Sequence, residues 1–116
     1  MIQEQTRVKV ADNSGGKWAI CIKVLGGSGK KVARAGDKVV VVIKSVKSGI
    51  KKKGSIQKGE ISHAVVVRTK PSMNENAVVL VNNKNETVGT RILGPISARL
   101  IRKGWKRVAL IAPYLF

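Results

Sequence analysis

Several residue types are scarce in this chain, and each scarcity excludes something. The single cysteine, Cys21, rules out an internal disulfide. It stands between Ile20 and Ile22 in a strand-like run, where it reads as a small buried hydrophobe. His63 is the only histidine, and the six acidic residues are scattered singly. No nucleophile has a base beside it and no ligand cluster has metal spacing, so neither enzyme chemistry nor a cofactor is expected. His63 reads as a strand-end residue with contact to RNA as its one functional alternative. Aromatic side chains are limited to Trp18, Trp105, Tyr114 and Phe116, too few for the row of stacking platforms by which many proteins hold single strands. Trp18 is assigned to the core, whereas Trp105, between Lys103 and Lys106, fits either core or surface. No apolar run approaches the roughly 20 residues of a membrane span, and no broad-faced amphipathic helix is visible. A membrane partner is therefore not expected. The opening MIQEQTRVKV has neither an apolar signal core nor an Arg/Ser-rich transit composition, the pattern of a chain that works where it is made.

What the chain has in excess is positive charge. Twenty-three Lys and Arg against six Asp and Glu give +17 over 116 residues. Such a density repels itself in a compact body unless a polyanion neutralises it, and nucleic acid is the first candidate. The length fits one domain, residues 1–116, with a basic loop at 44–60 and a helical segment near 95–103. In that loop Lys44, Lys47, Lys51, Lys52, Lys53 and Lys58 meet no acid before Glu60. A second basic cluster, Arg99, Arg102, Lys103, Lys106 and Arg107, lies in a stretch without acids from Gly89 to Phe116. A merely soluble surface mixes signs, so both regions point to phosphate and shape recognition of folded RNA.

Strand signals dominate the rest. Thr6 to Ala11 alternates, with Arg7 and Lys9 on a wet face and Val8 and Val10 on a dry one. Five turn formers, Asp12 to Gly16, send it back through a hairpin into Lys17 to Leu25. Val39 to Ile43, all β-branched, suits a strand covered on both faces, and His63 to Thr69 and Ala77 to Val81 repeat the signal. Gly94-Pro95 opens a short helix from Ile96 to Lys103, closed at Gly104. Lys106 to Ala112 alternates and reads as a sixth strand. These elements predict a mainly β fold, a small five- to six-stranded antiparallel barrel with one or two short C-terminal helices; a β-sandwich is the rival. The tip Gly26-Gly27-Ser28-Gly29-Lys30 is no phosphate loop, because Val24 and Lys31 stand where glycine and a hydroxyl residue are needed, and Val32 breaks the dinucleotide pattern. It reads as a hairpin tip that lets backbone and lysines approach phosphate.

Five motifs in order carry a resemblance to a family. Met1-Ile2-Gln3-Glu4-Gln5-Thr6, Val10-Ala11-Asp12-Asn13-Ser14-Gly15, Cys21-Ile22-Lys23-Val24-Leu25-Gly26-Gly27-Ser28, Ala64-Val65-Val66-Val67-Arg68-Thr69-Lys70, and Gly89-Thr90-Arg91-Ile92 with Gly94-Pro95 closely resemble large-subunit ribosomal protein fourteen, of the bacterial and organellar type. The resemblance implies a five-stranded barrel with short C-terminal helical segments on the subunit-facing side of the large subunit. It implies large-subunit rRNA and neighbouring ribosomal proteins as partners, bridges to small-subunit rRNA, and a docking surface for a ribosome-silencing or anti-association factor. Carried over by motif, Gly89, Thr90 and Arg91 with the following helix belong to the bridge and docking surface, and Asp12, Asn13 and Ser14 shape a turn close to RNA.

The candidate rRNA-binding set is thus Asn13, Ser14, Lys17, Lys23, Ser28, Lys30, Lys31, Lys44, Lys47, Lys51, Lys52, Lys53, Lys58, Arg68 and Lys70. The candidate bridge and docking set is Thr90, Arg91, Arg99, Arg102, Lys103 and Lys106. The chain departs from the family pattern at several points. Residues 71–75 are all that remains of a usually longer loop, Lys58-Gly59-Glu60 replaces the common Lys-Gly-Asp, and the loop before it is longer by about four residues. Leu93 replaces the common Phe, and no acid follows Pro113. Such drift resembles a protein of a mitochondrial ribosome more than one of the bacterial cytoplasm or a plastid. The rival from another class is a free RNA-binding or RNA-chaperone module outside the ribosome.

Overall fold

The computed structural model describes residues 2–26, 32–46, 57–69, 75–82, 84–112 and 114–115. Five strands, β1 (Arg7–Val10), β2 (Gly16–Val24), β3 (Lys38–Val46), β4 (Ile61–Arg68) and β5 (Ala77–Val81), close into a barrel in that order. Neighbours pair antiparallel throughout except at the closure, where Lys9 and Val10 of β1 run parallel to Ala77 and Val78 of β5. The β-branched runs are what make these strands: their stiff side chains pack on a pleated surface and lose little further freedom there.

The barrel interior is filled by alternate residues, among them Val8, Val10, Ala19, Cys21, Val39, Val41, Ile43, Ala64, Val66, Val78 and Leu80, all essentially without solvent contact. Cys21 is buried there, as its apolar neighbours lead one to expect. In β2 the alternation slips: register shifts fall on both sides of Trp18 and again between Cys21 and Lys23, so Ile22 and Lys23 both face outward before Val24 returns inside. Trp18 consequently stands on the outer surface, half-buried, and its assignment to the core is corrected.

A second core lies outside the barrel wall. Val65, Val67, Ala77, Val79 and Val81, the outward residues of β4 and β5, are covered by Ile92, Ile96, Leu100 and Val108. The covering segment contains a two-residue strand β6 (Pro95–Ile96) paired in parallel with β7 (Tyr114–Leu115), and the helices α1 (Arg99–Arg102) and α2 (Lys106–Leu110). Helices of four and five residues have no stability of their own. Each apolar side chain they help to bury is worth about 1.5–3 kcal/mol, and this packing holds them in place. Trp105 is part of it, half-buried, with its Nε1 donating to the Gly36 carbonyl at 2.7 Å.

Two expectations change accordingly. Lys106 to Ala112 is a helix over its first five residues, because Val108 contacts the second core with Ala109, Ile111 and Ala112 alongside, a spacing a helix serves better than a strand. The valine strand β3 is covered on its inner face only, since the C-terminal segment packs on β4 and β5 and leaves Val40 and Val42 half-exposed.

Candidate nucleic-acid interface

The barrel therefore has two unlike outer sides. The wall of β4 and β5 is sealed by the C-terminal segment, whereas β1, β2 and β3 present theirs to solvent. On this open wall the outward positions are Arg7 and Lys9 from β1, Lys17 and Lys23 from β2, and Lys44 from β3, all exposed. Period-2 alternation on β1 and β3, together with the slipped register of β2, brings them to one side. Lys58, in the turn before β4, is exposed as well. Arg7 and Lys9 are legible in the sequence as a wet strand face but are absent from the candidate set. Their membership becomes visible through the pairing of Arg7 with Ile20 and Lys9 with Trp18. Arg7 Cζ lies 3.9 Å from the centroid of the Trp18 ring, a cation–π stack on the open wall.

The turn after β1 is tied to the strap that follows β5. Asp12, fully buried, accepts the Leu80 backbone N–H at 3.0 Å through Oδ2, while its Oδ1 accepts the Ser14 N–H at 3.1 Å and the Ser14 hydroxyl. Asn13 Oδ1 accepts the N–H groups of Thr90 at 2.7 Å and Arg91 at 3.1 Å, and its Nδ2 donates to the Thr90 hydroxyl at 2.9 Å. The Asn13 N–H in turn donates to the Arg91 carbonyl at 3.2 Å. Gly89 is required by this closeness: a Cβ there would stand 2.7 Å from Asn13 Oδ1 and 3.1 Å from Asp12 Cβ. The lock leaves the Thr90 and Arg91 side chains exposed on a fixed backbone. The family resemblance implies RNA contact for the turn of Asn13 and Ser14 and a bridge role for Thr90 and Arg91; the structure ties the two segments together through Asn13.

Arg68 departs from the set. It is 4 % exposed, and its Nη1 donates to the carbonyls of Leu93 at 2.8 Å and Pro95 at 3.0 Å. Its Nη2 lies 3.5 Å from Glu75 Oε1, a carboxylate that also faces Lys9 Nζ at 3.8 Å. Gly94, at φ +83°, admits this guanidinium, since a Cβ would meet Nη1 at 2.6 Å. Burial pulls the Arg68 pKa below its ordinary value, and Glu75 opposes the shift. Arg68 is a strut under the strap, and of the candidate rRNA-binding residues described it is the one the fold buries.

At the C-terminal end Arg102 and Lys103 are exposed, Arg99 is half-buried with its Nε enclosed, and Arg107 Nη1 sits 4.0 Å from Glu86 Oε2. Arg99, Arg102 and Lys103 share α1 and its C-cap, while Leu100 turns into the second core. Ser28, Lys30, Lys31, Lys47, Lys51, Lys52, Lys53 and Lys70, and the side chain of Lys106, lie outside the described residues. Among the described residues no three His, Cys, Asp or Glu side chains come together to hold a metal, and no helix is long and apolar enough to cross a membrane. A family model described as ribosomal protein L14p/L23e matches residues 1–116.

Proposed function

Since the chain belongs to the ribosomal protein L14p/L23e family, whose members are structural components of the large ribosomal subunit and not enzymes, we propose that it anchors to large-subunit rRNA through the open barrel wall. The observation that carries this reading is the asymmetry of the barrel: the wall left uncovered by the C-terminal segment is the one bearing Arg7, Lys9, Lys17, Lys23 and Lys44. The sheet holds the backbone beneath these cations in place, so meeting successive phosphates costs side-chain rotamer freedom but no ordering of the chain itself. The lysines of the 44–60 loop extend the same charge along the chain.

The patch of Asn13, Thr90 and Arg91, with Arg102 and Lys103, is the proposed contact to small-subunit rRNA and to a factor that keeps the subunits apart. Its support is the fixed backbone under two exposed side chains, which suits a surface that must meet a partner repeatedly in one geometry. The mitochondrial ribosome is the proposed setting, from the departures at Lys58-Gly59-Glu60, Leu93 and residues 71–75.

Gradient sedimentation of cell extract followed by detection of the tagged chain tests the reading. The chain is expected in the large-subunit and assembled-ribosome fractions of purified mitochondria. Recovery at the top of the gradient would favour the free RNA-binding or chaperone module, and recovery with ribosomes of another compartment would remove the mitochondrial assignment alone.

A further inference from the structure

Trp18 is the residue that neither the family reading nor the charge pattern absorbs. A large aromatic on the outer face of a small barrel is ordinarily covered by apolar neighbours, yet here its neighbours are Arg7, Lys9 and Lys17. The register that pairs Lys9 with Trp18 and the slip beside it put the indole on the open wall, and the Arg7 guanidinium lies over its ring at 3.9 Å. Together with Val8, Glu75 and Asn76 these residues line a notch of about 370 Å³, enough for a nucleobase. Its rim carries three cations against one carboxylate, and that carboxylate is already shared by Arg68 and Lys9.

We propose that the Arg7–Trp18 stack is a seat for one unpaired RNA nucleotide, whose base lies on the exposed guanidinium or against the indole edge while Lys9 and Lys17 take the flanking phosphates. The inference rests on the rRNA-binding reading and adds a contact to a base where that reading has phosphates only. Planar guanidinium groups and indole rings both stack on bases, and a guanidinium already held over an indole is ordered before the base arrives. With Glu75 already shared by Lys9 and Arg68, an uncharged peptide would bring no anion to Arg7 and Lys17, whereas RNA brings a phosphate on either side of the base, which is why RNA is the occupant the notch fits.

The test uses the full chain with three probes at about 0.3 M salt, chosen to weaken purely electrostatic binding: a heptamer of adenosine, the same length of abasic phosphodiester, and a seven-base-pair duplex. Trp18→Ala is expected to weaken adenosine heptamer binding about tenfold and to leave the abasic strand and the duplex within twofold, with Trp18→Phe restoring most of the affinity. Lys17→Ala is expected to weaken all three probes alike. Thermal melting of each variant separates weakened binding from failed folding, because Trp18→Phe keeps the ring that covers the wall. Equal effects of Trp18→Ala on the heptamer and the abasic strand, or no effect on either, would overturn the seat. Unchanged binding of the variant to a large-subunit rRNA fragment would then show that the broader rRNA reading survives it, whereas failure of the wild-type chain to bind that fragment would remove both.

Discussion

Asn13 and Thr90, 77 positions apart in the sequence, are joined twice: the Asn13 Oδ1 accepts the Thr90 N–H at 2.7 Å, and the Asn13 Nδ2 donates to the Thr90 hydroxyl at 2.9 Å. One amide thus spans the turn after β1 and the strap after β5, and it holds the backbone from which Arg91 projects. Asn13→Ala is expected to cost about 1–2 kcal/mol, because the groups it leaves are close to solvent and water takes over part of the bonding. The sharper readout is hydrogen exchange, in which the amides of Thr90 and Arg91 lose protection while those of β3 and β4 keep theirs. Gly89→Ala is expected to reproduce the local loosening by displacing Asn13.

Arg68 makes the largest single prediction for stability. Arg68→Met removes the donor that satisfies the carbonyls of Leu93 and Pro95 and leaves Glu75 facing Lys9 alone. A destabilisation of about 2–4 kcal/mol in urea unfolding is expected, and Arg68→Lys recovers little of it, since an ammonium cannot reproduce the planar fork. Because the residue is buried, RNA affinity of the folded variant should stay within about twofold of the parent under the same salt, a comparison read by filter binding.

Cys21 gives a prediction in pH. Burial, with the Glu4 carboxylate in support, pushes its thiol above the ordinary value. The folded state therefore keeps the proton longer than the unfolded chain does. The associated stability is complete below the ordinary thiol range and is lost as pH rises through that range towards the folded value. Urea unfolding of the parent and of Cys21→Ala from neutral to alkaline pH should show the parent losing its advantage at the alkaline end. Labelling of Cys21 by iodoacetamide should track unfolding, because the thiol is inside the barrel.

The hydrogen bond from Trp105 to Gly36 ties the C-terminal segment to the turn before β3. Trp105→Phe retains most of the apolar contact and removes the donor, for an expected cost of about 1 kcal/mol in thermal or urea unfolding. The Trp105 indole N–H, held by this bond, should exchange more slowly than that of Trp18 on the open wall.

Much of the barrel could be read from the chain. The runs Arg7–Val10, Gly16–Val24 and Ala77–Val81 stand within a residue or so of where alternation and β-branching put them; β3 extends the expected core at both ends, and β4 starts two residues before His63 and ends one short of Thr69. The C-terminal third was less legible. Lys106 to Ala112 contains residues that satisfy a period of two and a period near 3.6 alike, and only packing against Val65, Val67 and Val79 decides between them. The expected helix from Ile96 to Lys103 is reduced to the four residues of α1, with Ile96 in the short strand β6, for the same reason: tertiary cover, not propensity, sets its shape.

At the site, the exposed lysines followed from composition and the Asn13 turn from the family resemblance. Arg68 and Trp18 did not follow from either. An arginine after a valine run and a tryptophan beside a lysine give no local sign of which is swallowed and which is left outside. Burial of Arg68 depends on Gly94 arriving from 26 positions away, and exposure of Trp18 depends on a register slip that sequence alternation does not show.

If the uncovered wall of β1, β2 and β3 is the one that meets rRNA, its lysines govern the salt dependence of binding. Affinity for a large-subunit rRNA fragment is measured across tenfold salt for the parent, for Lys17→Ala with Lys23→Ala and Lys44→Ala, and for a charge-matched control, Lys84→Ala with Lys103→Ala and Arg107→Ala. The slope of log K against log salt is expected to become shallower by about two to three units in the wall variant, at roughly 0.7 to 0.9 for each phosphate no longer neutralised, and to change by less than about one in the control. Equal slopes for the wall variant and the parent, or a larger change in the control, would mean that rRNA meets another face of the protein.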